Sequence, residues 1–180
     1  MQKVPAVRKL AHSKPVLSLA QAVLGETAFV VRSLFFDKTA EANWKVSWHQ
    51  DITIAVREKI ETPGFGPWSV KDGIAHVQPP ASVLEKMLTL RLHLDNCDFG
   101  NGPLQVLPGS HRSEKLNSQQ IAEWRTRVEP FTCIVSKGGV VLMRPLLLHA
   151  SSPSLAPKHR RAIHLEFTSS ALPGDLRWNS

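Results

Sequence analysis

The chain has 180 residues and a formal net charge of +7, and 42% of it is hydrophobic. That length makes one domain able to bury a real core, and the apolar content excludes a disordered chain. The charge comes without a dense basic run, which argues against a nucleic-acid footprint, and no apolar stretch approaches the roughly 18 residues of a membrane span.

Cys97 and Cys133 match no metal or redox spacing, so a reducing, cytoplasmic setting is the expectation. Thirteen prolines and ten glycines among many short apolar runs favour an all-β architecture. A single domain over 1–180 is expected, with an N-terminal helical segment over 1–26 and a β core over 27–180.

Residues 1–25 hold Lys3, Arg8, Lys9 and Lys14 and no acid, a composition shared with transit peptides. The reading adopted is a helix over Val16 to Leu24 packed on the core. Thr27 to Phe36 reads as a mostly buried strand ended by Asp37-Lys38-Thr39. From Trp44 to Val56 the apolar Val46, Trp48, Ile52, Ile54 and Val56 alternate with Ser47, His49, Asp51 and Thr53. That two-residue period predicts a strand with His49 and Asp51 on one face, where both can bind one small divalent metal.

Glu61 to Pro80 is crowded with proline and glycine and reads as a long loop whose Trp68 and His76 can reach a site. Met87 to Asp95 alternates again, with Thr89, Arg91 and His93 on one face. Leu104 to Leu107 is a short strand, Pro108 to His111 a tight turn, and Asn117 to Trp124 a helix capped by Asn117 or Ser118. Phe131 to Ser136, Val140 to His149 and Arg160 to Thr168 read as strands. In the last, Arg160, Ala162, His164 and Glu166 oppose Arg161, Ile163, Leu165 and Phe167. Strands that carry both an aliphatic face and a face of Thr, Arg, His and Asp point to a polar interior around a site. The expected fold is a double-sheeted jelly roll, the double-stranded β-helix of cupin-like proteins, with short flanking helices.

His149 ends the run Val140 to Leu148 and supplies the second imidazole of a two-His, one-carboxylate set with His49 and Asp51. Such a set leaves open positions and suits non-haem Fe(II) oxygenases. A chelating cosubstrate then needs a cationic anchor, and Arg160 stands eleven residues on, where a hairpin can return it to the metal. Ser151 can add a hydroxyl. Arg161 competes, but its parity puts it on the aliphatic face.

Three motifs, WHQD at 48–51, GPLQVLPGSHR at 102–112 and H-x₁₀-RRAIHLEF from His149, resemble the phytanoyl-CoA dioxygenase family of Fe(II)/2-oxoglutarate oxygenases. The resemblance runs from about Thr27 to the C-terminus. It implies that His49, Asp51 and His149 hold iron, that Arg160 binds 2-oxoglutarate, and that Ser151, Gln50 and Trp68 contact the same cosubstrate. It also implies hydroxylation of a small organic substrate with O₂, giving succinate and CO₂. Relatives that halogenate lack the carboxylate ligand, and Asp51 is present. The substrate side falls to Arg91 and His93, and an anionic substrate accounts for the charge as well as a nucleic acid would. Two other readings are a non-catalytic metal-binding jelly roll and a nucleic-acid oxygenase. The residues do not specify an oligomeric state.

Overall fold

The computed structural model describes residues 4–155 and 159–179; Lys3, part of the basic N-terminal stretch, lies outside them. Two helices come first, α1 (Pro5–Ala11) and α2 (Lys14–Leu24), each with proline in its first turn, where a missing N–H costs nothing. The strands are β1 (Phe29–Lys38), β2 (Val46–His49), β3 (Ile54–Val56), β4 (Trp68–Lys71), β5 (Ile74–Val77), β6 (Met87–His93), β7 (Leu104–Val106), β8 (Phe131–Cys133), β9 (Val140–Met143), β10 (His149–Ser151) and β11 (Arg160–Thr168). A short helix α3 (Ala81–Leu84) precedes β6, and α4 (Ser118–Arg127) opens on a capping box formed by Asn117 and Gln120.

The strands make two four-stranded antiparallel sheets, ordered β1-β11-β6-β9 and β2-β10-β7-β8, and a small third sheet, β3-β5-β4. This is the jelly roll expected from the alternating strands. Its long sheet has an unusual polarity. Leu88, Leu90, Ile163, Leu165 and Phe167 cover one face and pack against Ala11, Val16 and Ala20 of the helices. The face turned to the second sheet carries Lys38, Arg160, His164, Arg91, Glu166 and Thr89, all of them buried. Each fully buried aliphatic or aromatic side chain under the helices contributes about 1.5–3 kcal/mol, which offsets the cost of a polar interior.

A register shift in β1 between Val30 and Arg32 inserts Val31 as an extra residue. Val30 then buries with the helices and Val31 in a separate cluster around Ile54, Leu84, Met87 and Trp178. Arg32 is left facing Glu166, which accepts from its Nη1 at 3.0 Å.

Four expected elements differ. β1 runs on through Asp37 and Lys38, because these pair in register with Arg161 and Arg160. The strand expected over 44–56 breaks after His49, where the buried Gln50 amide leaves the ladder. Its Nε2 donates to Leu146 O and Glu114 O and its Oε1 accepts from Leu116 N. Val140 to His149 is two strands, since Pro145 cannot continue the ladder and the chain crosses between the sheets there. The expected loop 61–80 holds the β4–β5 hairpin, turned at Asp72-Gly73 with both residues at positive φ.

Candidate active site

Between the two large sheets lies a cavity of about 120 Å³. Its lining mixes apolar side chains, Leu34 and Phe36 from β1, Trp44, Val46 from β2 and Leu104 from β7, with the polar His49, Asp51, Arg91, His149, Ser151, Arg160 and His164.

His49 and His149 face each other across the β2–β10 pairing, with ring centroids 4.2 Å apart. Asp51 follows β2 and is fixed by its backbone N–H donating to Pro145 O. One ligand atom from each of the three lies within 4.8 Å of the other two. The imidazoles are prepared alike: His49 Nδ1 lies 2.8 Å from Ser47 O and His149 Nδ1 2.8 Å from Leu147 O. A carbonyl can only accept, so Nδ1 carries the proton and the Nε2 lone pair points into the cavity. Each Nε2 stands 3.7 Å from an Asp51 oxygen, and Asp51 Oδ2 is buried with no hydrogen-bond partner. Burial also holds the His149 imidazole below its ordinary pKa, in the neutral form a metal needs. Two imidazoles that turn Nε2 inward and an unsatisfied carboxylate fit one octahedral divalent ion with part of its sphere free.

Arg160, 2% exposed, reaches the same cavity from the start of β11. It donates to Gly102 O and its Nε is buried unpaired. Gly102 has φ +67, and a side chain there would strike the Ser152 carbonyl, so only glycine brings this carbonyl so close to Arg160. Arg161 points the other way and grips Asp95, with Nε–Oδ2 2.9 Å and Nη2–Oδ1 2.7 Å. The two arginines thus divide as strand parity requires.

Sequence reasoning missed Lys38, which looked like the polar end of a strand. It is fully buried, pairs in register with Arg160, and its Nζ donates to Ser151 Oγ at 2.9 Å and to Ser152 O at 2.6 Å. Burial, then Arg160 and Arg91, hold its ammonium down to about 8. The signal was available: Lys38 shares parity with Leu34 and Phe36, which line the cavity.

The remaining proposed contacts divide. Ser151 lines the cavity. Gln50 does not, because its amide is spent on tying three backbone segments together. Trp68 does not either: it lies on β4 in the third sheet, its ring packed against the cluster around Ile54 and Val77, and the hairpin is what carries it away from the site. His76, on the neighbouring β5, is buried with Nδ1 on Ile74 O. Arg91 lines the cavity. His93, two residues along β6, is buried outside the lining with both ring nitrogens unpaired. His164 Nε2 is 4.0 Å from Asp51 Oδ2 and 3.8 Å from Glu166 Oε1, and burial drives its pKa down to about 3.

A family model described as phytanoyl-CoA dioxygenase (PhyH) matches residues 2–162. A search of curated proteins finds no match. Among solved structures, AviO1 from Streptomyces viridochromogenes Tue57 has a TM-score of 0.67 at 24% identity, over 96% of this chain and 65% of its own. EctD from S. alaskensis with bound Fe has a TM-score of 0.69 at 20% identity, over 93% of this chain and 54% of its own. The non-haem alpha-ketoglutarate-dependent epimerase SnoN from nogalamycin biosynthesis has 0.68 at 15%, over 93% and 57%. These are likenesses of fold, and the chain spans between about half and two thirds of each structure's length. Among the described residues no helix is long and apolar enough to cross a membrane.

Proposed function

Because the chain belongs to the phytanoyl-CoA dioxygenase family, we propose that it is an Fe(II)/2-oxoglutarate-dependent dioxygenase that hydroxylates a C–H bond of a small organic substrate. The observation that carries this reading is the convergence of His49, Asp51 and His149, with both Nε2 atoms free, beside the buried cations Arg160 and Lys38. The EctD structures, one with bound Fe and another with 2-oxoglutarate and 5-hydroxyectoine, support the same pairing of metal and cosubstrate on this fold.

His49, Asp51 and His149 would hold Fe(II). Bound there, the metal supplies redox chemistry with O₂ that no side chain can. The residues of the chain bind, orient and exclude water. Arg160, Lys38 and the Ser151 hydroxyl together offer the donors for one carboxylate of the cosubstrate, an arginine fork being the geometry such a group prefers. The apolar side chains Leu34, Phe36, Val46 and Leu104, set among these polar groups, help exclude water from the cavity, which strengthens every charge interaction inside. Asp51 fills the carboxylate position, so hydroxylation rather than halogen transfer is the reaction proposed.

The test is succinate release from 2-oxoglutarate. Wild-type protein with Fe(II) and O₂ should form succinate, and Asp51→Ala and His149→Ala should lower the rate by at least about a hundredfold, since losing even a residue that only supports a metal ligand costs about 10- to 100-fold. Succinate formation by wild type that is independent of added iron, or undiminished in Asp51→Ala, would sink the reading.

A further inference from the structure

Arg91 is not one of the three metal candidates, and it faces the cations Lys38 and Arg160 rather than an acid partner, yet the fold buries it in the cavity at 7% exposure. Its Cα pairs with His164, the residue beside Asp51, so it stands on the strand row nearest the metal group. Its guanidinium carbon lies 5.1 Å from the centre of the Phe36 ring, and its Nε is buried with no hydrogen-bond partner. Asp51, the acid whose charge reaches it, makes no ion pair with it, and Glu166 on the same sheet face is taken by Arg32. Among the described residues no carboxylate approaches Arg91 within 4.0 Å.

The charges of the cavity do not balance. Arg91 and Arg160 line it, Lys38 borders it, and the one acid in the lining is Asp51. A divalent metal and a doubly charged 2-oxoglutarate cancel one another, so loading the site leaves the positive excess where it was. That excess persists even with Lys38 neutral, since two guanidinium groups still face one carboxylate. An uncompensated buried cation is costly, and a polar group aimed unpaired into a largely apolar pocket is the usual mark of a ligand contact.

Resting on the oxygenase reading, we propose that the primary substrate carries an anionic group, a carboxylate or a phosphate, which pairs with Arg91 and so holds the substrate beside the metal. Arginine offers such a group two parallel N–H donors, which fixes orientation as well as position. Trp44, Val46 and Leu34 then meet the apolar part of the same molecule. Arg91 sets which molecules are positioned for oxidation, while Arg160 serves the cosubstrate whatever the substrate is.

The full chain loaded with Zn(II), which supports no turnover, is titrated with 2-oxoglutarate and then, at saturation, with acetate, inorganic phosphate or acetamide, by calorimetry. At least one of the two anions should bind and acetamide should not; the tighter anion identifies the substrate's group. Arg91→Gln should weaken anion binding by about tenfold or more and change the 2-oxoglutarate Kd by less than about twofold, as for loss of one charge-assisted contact. Arg91→Lys, which keeps the charge and loses the fork, should bind the anion more weakly than wild type and more tightly than Arg91→Gln, which separates a lost charge from a lost fold. An Arg91→Gln protein that binds 2-oxoglutarate about tenfold more weakly and the anion as before would assign Arg91 to the cosubstrate and overturn the proposal. Acetamide binding as tightly as acetate, or anion binding indifferent to Arg91, would overturn it too. Failure of wild type to bind 2-oxoglutarate is read in the first titration; it removes the oxygenase reading itself and the proposal with it.

Discussion

Neighbouring arginines on one strand have opposite fates in this protein, and a single residue of parity decides them. Arg160 turns into the cavity with an unpaired Nε, while Arg161 turns out and spends its fork on Asp95. Arg160→Ala should therefore raise the 2-oxoglutarate KM by about 10- to 100-fold, the loss of a charged hydrogen-bonded contact worth roughly 1.5–3 kcal/mol, and leave metal affinity unchanged. Arg161→Ala should spare KM and change stability little, because its pair with Asp95 is exposed to solvent and screened. Steady-state kinetics and urea unfolding of both variants check the contrast; the reverse pattern would mean that the strand is out of register by one. Lys38 gives the pH signature. With its ammonium held down to about 8, Lys38 is charged below that pH and neutral above it. A dianion binds the charged form, so 2-oxoglutarate affinity should be full below pH 8 and fall as the pH rises past it. The groups that face Lys38 are Arg160, Arg91 and Cys97; the two arginines stay charged there and burial pushes the Cys97 thiol up, so none of them titrates in that window. Lys38→Met should bind about tenfold more weakly at pH 7, by the same contact arithmetic, and lose the pH dependence. A wild-type affinity flat from pH 7 to pH 9 would show that Lys38 does not meet the cosubstrate.

At the scale of elements, β11 is the member on which both functions of the long sheet depend. Its even-numbered residues face the second sheet, with Arg160 and His164 lining the cavity, and Leu165 and Phe167 lie fully buried under α1 and α2. Phe167→Ala should cost about 3–5 kcal/mol in urea unfolding, the transfer loss plus an unfilled cavity, and should loosen the helices without touching a cavity residue. A cost below about 1 kcal/mol would mean that the helices do not cover that face as described. The alternation that fixes this strand was plain in the sequence, as were the β6 alternation and the HxD pair, because period-two patterning is a local property. The break after His49 was not. It depends on Gln50 bonding Glu114, Leu116 and Leu146, some 64 to 96 residues away, and no local pattern encodes such partners. The β4–β5 hairpin hid for a different reason: its proline and glycine content reads as loop, while the Asp72-Gly73 turn that makes it a hairpin is only two residues long. That misreading is what placed Trp68 near the site. Lys38 was hidden by chemistry, since a lysine at a strand end ordinarily marks solvent.

Across the whole molecule, the site joins two sheets that otherwise meet through side-chain packing. His149 and His49 belong to the short-stranded sheet with β2 and β10, whereas Lys38 and Arg160 belong to the long sheet with β1 and β11. A metal alone would tie together the first group. A dicarboxylate that reaches the metal group at one end and Lys38 and Arg160 at the other would cross-link the sheets. Binding confined to the native state stabilises by about 2.7 kcal/mol at a hundredfold excess over Kd, and each kcal/mol raises the melting temperature by roughly 2–4 °C in a chain of this size. Adding 2-oxoglutarate to the Zn(II)-loaded protein at that excess should therefore raise the melting temperature by roughly 5–11 °C beyond the metal's own effect. Acetate, with one carboxylate, cannot span the two groups and should give a much smaller shift at equal concentration. Arg160→Ala should keep the metal increment and lose most of the 2-oxoglutarate increment at the same concentration, while Asp51→Ala should lose both. Differential scanning calorimetry separates these cases, and an Arg160→Ala protein that retains the full 2-oxoglutarate increment would show that the cosubstrate does not bridge the sheets.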